Sequence, residues 1–231
     1  METNDQRVLS LIRRLLVEMS DAGYKEFVAK LVPTVEKKMI LGVRTPDLRT
    51  YARELYGTAE GMTFLTHIPH ALFDENNLHG QILCLCRSFE EAAEKICAFL
   101  PMIDNWATCD SIRPKALTKD MRAFSVLCGR WIADDRPFVV RFGLEMRMCY
   151  FLDGHFDAGY LREAAGIRSG AYYVQMMVAW FFATALAKQF DQTLSFLSEW
   201  RLDPTVHRMM VRKALDSNRL SPEQKKMILA I

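Results

Sequence analysis

Tyr172-Tyr173-Val174-Gln175-Met176-Met177-Val178-Ala179-Trp180-Phe181-Phe182-Ala183-Thr184-Ala185-Leu186-Ala187-Lys188-Gln189 is apolar on nearly every side when wound as a helix. Such a helix has no broad face to offer to water, so the stretch predicts the centre of a helical stack. Outward from it, apolar residues keep recurring at three- and four-residue spacing. Val8, Leu11, Ile12 and Leu15 are one instance, and Phe89, Ala92, Ala93, Ile96 and Cys97 are another. Period-two runs bounded by turn residues are missing and β-branched residues never cluster for long, so the chain reads as all-α.

Helix-start signals punctuate this pattern at Thr45-Pro46, Asp104-Asn105, Arg136-Pro137, Ser169, Asp203-Pro204 and Ser221-Pro222-Glu223. They imply roughly a dozen helices of about 8 to 20 residues joined by short turns. That organisation fits antiparallel helix pairs stacked in series, a HEAT-like α-solenoid, better than a four-helix bundle. The interior segment that looks most like a loop is Pro69-His70-Ala71-Leu72-Phe73-Asp74-Glu75-Asn76-Asn77, expected to end one helix pair and cap the next. No low-complexity linker or charge block marks a boundary, so one domain over 1–231 is expected.

With 231 residues, half of them hydrophobic, the chain can bury a substantial core. Its start, Met1-Glu2-Thr3-Asn4-Asp5, lacks the basic region of a signal peptide, and no uninterrupted apolar run approaches the roughly 18 residues of a membrane span. A soluble, cytoplasmic monomer is the expectation. Cysteines 84, 86, 97, 109, 128 and 149 lie in apolar helical patterns and none are spaced as CxxC, which reads as buried, reduced thiols with no metal and no cofactor.

The 30 Lys and Arg against 28 Asp and Glu leave a net charge of +2, which does not by itself announce a nucleic-acid partner. Distribution says more. Acidic residues gather early, at Glu54, Glu60, Asp74, Glu75, Glu90, Glu91 and Glu94, whereas the stretch from Arg201 to Lys226 is locally basic.

Four segments carry candidate chemistry. In Pro101 to Ile112, two capping-type residues, Asp104 and Asn105, precede a helix that holds Trp106 and Asp110 four positions apart, an indole and a carboxylate on one side of one turn. The plain structural alternative is a capped helix with Trp106 in the core and Asp110 paired with Arg113. In the apolar helix, Trp180 is either core or a ligand platform. Arg141 sits in the apolar start of another helix, Phe138 to Arg147, where its fork suits a phosphate, or a salt bridge to Glu145 one turn on. Between Val206 and Arg219, Arg208, Arg212 and Arg219 approximate a helical stripe with Lys213 beside it, and Lys37, Lys38, Arg44 and Arg49 form a matching N-terminal patch. A solvated basic face explains both equally well.

These segments, in this order, resemble the DNA alkylation repair enzyme family. Gly42-Val43-Arg44-Thr45-Pro46-Asp47-Leu48-Arg49 resembles its early signature and Asp104-Asn105-Trp106 through Asp110 its most diagnostic one; the Ala179-Trp180 helix and the His207 to Arg219 segment match as well. The resemblance spans nearly the whole chain. It implies a curved, right-handed stack of HEAT-like helix pairs with a concave basic face that holds duplex DNA. It also implies hydrolysis of the N-glycosidic bond of cationic purines such as 3-methyladenine and 7-methylguanine, with Trp106, Asp110 and Trp180 catalytic. Arg141, Lys37, Lys38, Arg44, Arg208, Arg212, Lys213 and Arg219 would then meet the DNA.

The residue types suit that chemistry. A purine methylated on a ring nitrogen is already cationic and leaves readily, so the group to stabilise is the oxocarbenium-like sugar, beside which a carboxylate is well matched. Two other classes compete with the enzyme: a non-catalytic module that binds distorted or branched DNA, and a protein-interaction solenoid.

Overall fold

The computed structural model describes residues 3–231, and among them the secondary structure is helical apart from one isolated bridge between Ser20 and Val43. Fourteen α-helices and three short 3-10 turns are present among the described residues. The chain divides into two compact units, Met1–Met121 and Arg122–Ile231.

The first unit contains α1 (Asn4–Glu18), α2 (Ala22–Leu31), α3 (Thr45–Leu55), α4 (Ala59–Thr66), α5 (Phe73–Leu83), α6 (Phe89–Phe99) and α7 (Trp106–Ser111). Its central helix is α5, which packs against α1, α3, α6 and α7. Here the structure corrects the sequence reading. Phe73 to Asn77 are not loop but the first turns of α5, and ten of its eleven residues are buried. Asp74 and Glu75 favour a helix N-terminus, and their burial is possible because each is met by donors from other parts of the unit. The core above them is formed by Ile12, Leu16, Leu48, Tyr51, Leu55, Phe64, Leu78 and Ile82.

The second unit follows α8 (Met121–Ile132) with α9 (Pro137–Tyr150), α10 (Gly159–Gly166), α11 (Tyr172–Lys188), α12 (Phe190–Glu199), α13 (Pro204–Leu215) and α14 (Pro222–Ile228). As expected from its sequence, α11 is the centre, packed against α9, α10, α12 and α13. Phe181 and Phe182 are fully buried, within a core that also takes Leu144, Leu161, Met177, Leu186 and Met210. Caps match their signals at Asp203, whose carboxylate accepts from Thr205 and Val206 N–H, and at Ser221, which forms a reciprocal capping box with Gln224. The Ser169 signal starts nothing directly; α11 begins three residues later, at Tyr172.

The six cysteines are free thiols, but only Cys86, Cys109 and Cys128 are buried, and Cys97 is exposed. Its side of α6 looks outward, where the i, i+4 pattern alone could not tell a flank from a core position. No helix among the described residues is long and apolar enough to cross a membrane.

Candidate active site and nucleic-acid interface

In the first unit the site is built on α5. The Asp74 carboxylate accepts the N–H groups of Leu41 at 2.6 Å, Val43 at 2.7 Å and Gly42 at 3.4 Å. Burial pushes its pKa up and these main-chain donors oppose the shift. The clamp fixes the turn that leads into Arg44 and α3. Gly42 is required there for two reasons: its φ is +90°, and a Cβ would lie 2.5 Å from the Asp21 carbonyl oxygen. Glu75 accepts Arg13 Nε at 2.7 Å and the Leu72 N–H at 3.0 Å, tying α5 to α1.

One face of α5 holds α7. Asn105 caps α7 by accepting the Thr108 N–H at 2.8 Å, and the Thr108 hydroxyl donates to Asn77 Oδ1 of α5 at 2.7 Å. Gly80 gives the close approach: a Cβ at that position would stand 2.8 Å from Ile112 Cγ1. Trp106, the first residue of α7, is half-buried and donates its Nε1–H to the Leu31 carbonyl at the end of α2, 2.9 Å away. Its indole packs beside Val28, Val32, Ile40 and Phe73 and forms part of the wall of a cleft of about 150 Å³ with Tyr24, Phe27, Asn77 and Gln81. Asp110 follows one turn later on the same helix and is also half-buried. Both residues therefore lie on one short helix, and of the two only Trp106 lines the cleft.

Tyr24 and Phe27 were not singled out from sequence. Their rings lie 6.1 Å apart on α2, and the Arg44 guanidinium stands 5.0 Å from the Tyr24 ring centroid. Two aromatics three residues apart, on one helix face, were the available signal, and the structure leaves Phe27 56% exposed.

Three of the four residues of the N-terminal basic patch are ion-paired, and the fourth, Arg49, donates Nε to Gln81 Oε1 at 3.3 Å. Lys37 meets Glu26 at 2.6 Å, Lys38 meets Glu36 at 2.6 Å and Arg44 meets Asp21 at 2.7 Å. Glu36 holds the Lys38 ammonium pKa above its ordinary value, and Asp21 does the same for Arg44. All six side chains keep substantial exposure, so these are weak pairs individually.

In the second unit Arg141 lies on α9, 4% exposed, and donates Nη1 to the Tyr173 carbonyl at 2.9 Å, in the first turn of α11. Trp180 is half-buried on α11, with Lys213 Nζ of α13 5.6 Å from its ring centroid. Arg208 and Arg212 stand one turn apart on α13, exposed, and Arg208 reaches only the Thr205 hydroxyl, at 3.2 Å. The stripe read from sequence is shorter than expected. Arg219 lies beyond the end of α13, because the helix stops at Leu215 with Asp216 as its C-cap. Among the described residues none of Arg208, Arg212, Lys213 and Arg219 has an acidic partner within ion-pair distance.

The charge divides between the units. Up to Met121 the chain has 15 basic and 17 acidic residues; from Arg122 onward it has 15 basic and 11 acidic. The net positive charge belongs to the second unit, where a polyanion would find it.

A family model described as DNA alkylation repair enzyme matches residues 12–217, taking in both units and every candidate residue except Arg219. No curated protein matches the sequence. With that model covering most of its length, and the tryptophans, the carboxylate and the basic segments all inside the match or at its edge, the chain belongs to the DNA alkylation repair enzyme family.

Proposed function

We propose that this protein is a DNA glycosylase that hydrolyses the N-glycosidic bond of cationic alkylated purines, 3-methyladenine and 7-methylguanine, in duplex DNA. The observation that carries the reading is α7, on which a half-buried indole that lines an aromatic cleft and a half-buried carboxylate stand one turn apart, in a chain of this family.

In the proposed reaction the bond from the sugar C1′ to the purine breaks and its electron pair neutralises the alkylated base. Positive charge moves onto the sugar ring. Asp110 stabilises that charge and orients the water that adds to C1′ and releases its proton to solvent, leaving an abasic site and the free base. Trp106 and Trp180 offer π faces to the sugar and to the cation, each worth roughly 0.5 to 2 kcal/mol according to desolvation. Because the Trp106 N–H is held by Leu31, that residue acts through its face rather than as a donor. The phosphate contacts are Lys37, Lys38, Arg44, Arg208, Arg212, Lys213 and Arg219, whereas Arg141, 4% exposed with Nη1 on the Tyr173 carbonyl, holds the start of α11.

The scaffold belongs to the same proposal: a single domain over 1–231, curved as a right-handed HEAT-like stack of antiparallel pairs and working as a cytoplasmic monomer on double-stranded DNA. Its support is the helical architecture of the described residues, the short connections and the family.

The test is release of free 7-methylguanine and 3-methyladenine from methylated duplex by the purified protein, with Asp110→Asn beside it. Wild type should release both bases. The variant should be slower by at least about tenfold, with binding to undamaged duplex nearly unchanged. Equal rates in the two proteins remove Asp110 from catalysis. No release by either, with duplex binding intact, makes the chain a non-catalytic DNA-binding member of the family.

A further inference from the structure

We infer that Thr108 is a positioning residue for Trp106 and Asp110, the junction through which α5 fixes the orientation of α7; the inference rests on the glycosylase reading of that helix. The helix has six residues, fewer than two turns, and a helix so short has no stability of its own. Its orientation is set by whatever holds it.

Thr108 stands midway between the two site residues and is fully buried. Its hydroxyl donates to Asn77 Oδ1 at 2.7 Å and accepts from Asn105 Nδ2 at 3.0 Å, while its N–H donates to Asn105 Oδ1 at 2.8 Å. A hydroxyl that donates and accepts at once has its rotor fixed. Asn77 supplies the acceptor from α5 and also lines the cleft beside Trp106, so the junction ties the cleft wall to the helix that carries the carboxylate.

Anchors at the ends of α7 include Trp106 on the Leu31 carbonyl, the Ser111 carbonyl accepting from Cys84 Sγ at 3.7 Å, and Ile112 against Gly80. Loss of the buried middle anchor removes the hydroxyl tie between α7 and α5 and loosens the turn that carries Asp110. A displacement of about an ångström at a reacting centre costs on the order of a hundredfold in rate.

The variants are Thr108→Val, of the same shape without the hydroxyl, Thr108→Ser, which keeps it, and Asn77→Ala, which removes the acceptor and leaves Thr108 in place. The full-length chain is assayed by single-turnover release of 7-methylguanine, by duplex affinity, and by the indole N–H resonance of Trp106 in ¹H–¹⁵N spectra. Thr108→Val and Asn77→Ala should each slow cleavage by at least about tenfold, with duplex affinity within about twofold. The double variant should be no slower than either single one, because both remove one junction. Thr108→Ser should stay within about threefold of wild type, since its hydroxyl can occupy the same position. The Trp106 resonance should move in Thr108→Val and stay in place in Thr108→Ser. Wild-type cleavage in Thr108→Val, equal loss in Thr108→Ser, or a loss fully explained by weaker binding or by the unfolded fraction overturns the inference. If wild type itself releases no base, the glycosylase reading fails separately. An unmoved Trp106 resonance in Thr108→Val would then still overturn the junction.

Discussion

The central helices of the two units, α5 and α11, are built on opposite principles. Among the buried residues of α11 only Thr184 is polar, and the helix is held by hydrophobic burial on every side. The buried residues of α5 include Asp74, Glu75, Asn76, His79 and Gln81. Its place is fixed by partners: three main-chain N–H groups for Asp74, Arg13 for Glu75 and His70 for His79. The same contrast extends to the surface. Acids of the first unit pair Lys37, Lys38 and Arg44 of its basic patch, whereas the exposed cations of α13 stand without acidic partners among the described residues. The first unit uses its charges to define its own geometry, and the second leaves them open to a polyanion. A polar core specifies one arrangement and tolerates little chemical change, whereas an apolar core tolerates change of like volume.

The largest expected effect tests that tolerance. Asp74→Asn keeps the shape of the side chain but turns an NH₂ toward donors, so at least one of the Leu41 and Val43 N–H groups loses its acceptor. The cost should be about 2 to 4 kcal/mol of global stability. Met177→Leu, an apolar change of like volume on α11, should cost less than about 1.5 kcal/mol. Urea midpoints at neutral pH measure both. Equal losses would mean that the two helices are held in the same way.

Acid should separate the units next. His70 Nε2 and His79 Nδ1 lie 2.8 Å apart, between the rings of Phe64 and Phe99. Burial lowers the His70 pKa to about 4 and pushes that of His79 well down. Both are neutral when folded, and the unfolded chain takes up protons first as pH falls below about 6.5. Their contribution is therefore fully present above that pH and is lost progressively toward pH 4, by on the order of 3 kcal/mol for His70 alone. Hydrogen exchange over this window should show α4, α5 and α6 losing protection before α11. Simultaneous loss would remove the histidine pair as the acid-sensitive element.

The uneven legibility of the sequence follows from the same contrast. The apolar pattern of α11 is local, so its helical state and central place could be read directly, as could the caps at Asn105, Asp203 and Ser221. Phe73 to Asn77 read as loop because the partners that make α5 a buried helix lie far away in sequence: Val43 for Asp74, Arg13 for Glu75. In the candidate site, the i, i+4 placement of Trp106 and Asp110 was legible because it lies within one helix. Thr108 and Asn77 were not, since a buried hydroxyl and an acceptor on another helix leave no periodic trace. Nor was the internal pairing of the N-terminal patch, because Lys37 finds Glu26 on a different element.

The smallest effect is the most direct probe of the surface half of the comparison. Each phosphate contact contributes about 0.9 to the slope of log affinity against log salt. On α13, Arg208→Ala with Arg212→Ala should flatten that slope by close to two contacts, since neither cation has another acidic partner to give up. In the first unit the informative change is to the acid rather than the base. Glu26→Gln with Glu36→Gln leaves Lys37 and Lys38 in place but unpaired, converting that patch to the open condition of α13. Exposed pairs are each worth under about 1 kcal/mol, so affinity for undamaged duplex should rise by only a few-fold and the slope should steepen by up to about two contacts. Replacing the lysines instead exposes Glu26 and Glu36, and affinity should fall through repulsion. A slope unmoved by freeing the lysines would place the first unit's patch outside the DNA footprint and leave phosphate binding to the second unit, while a steeper slope would make Glu26 and Glu36 the residues that hold its affinity down.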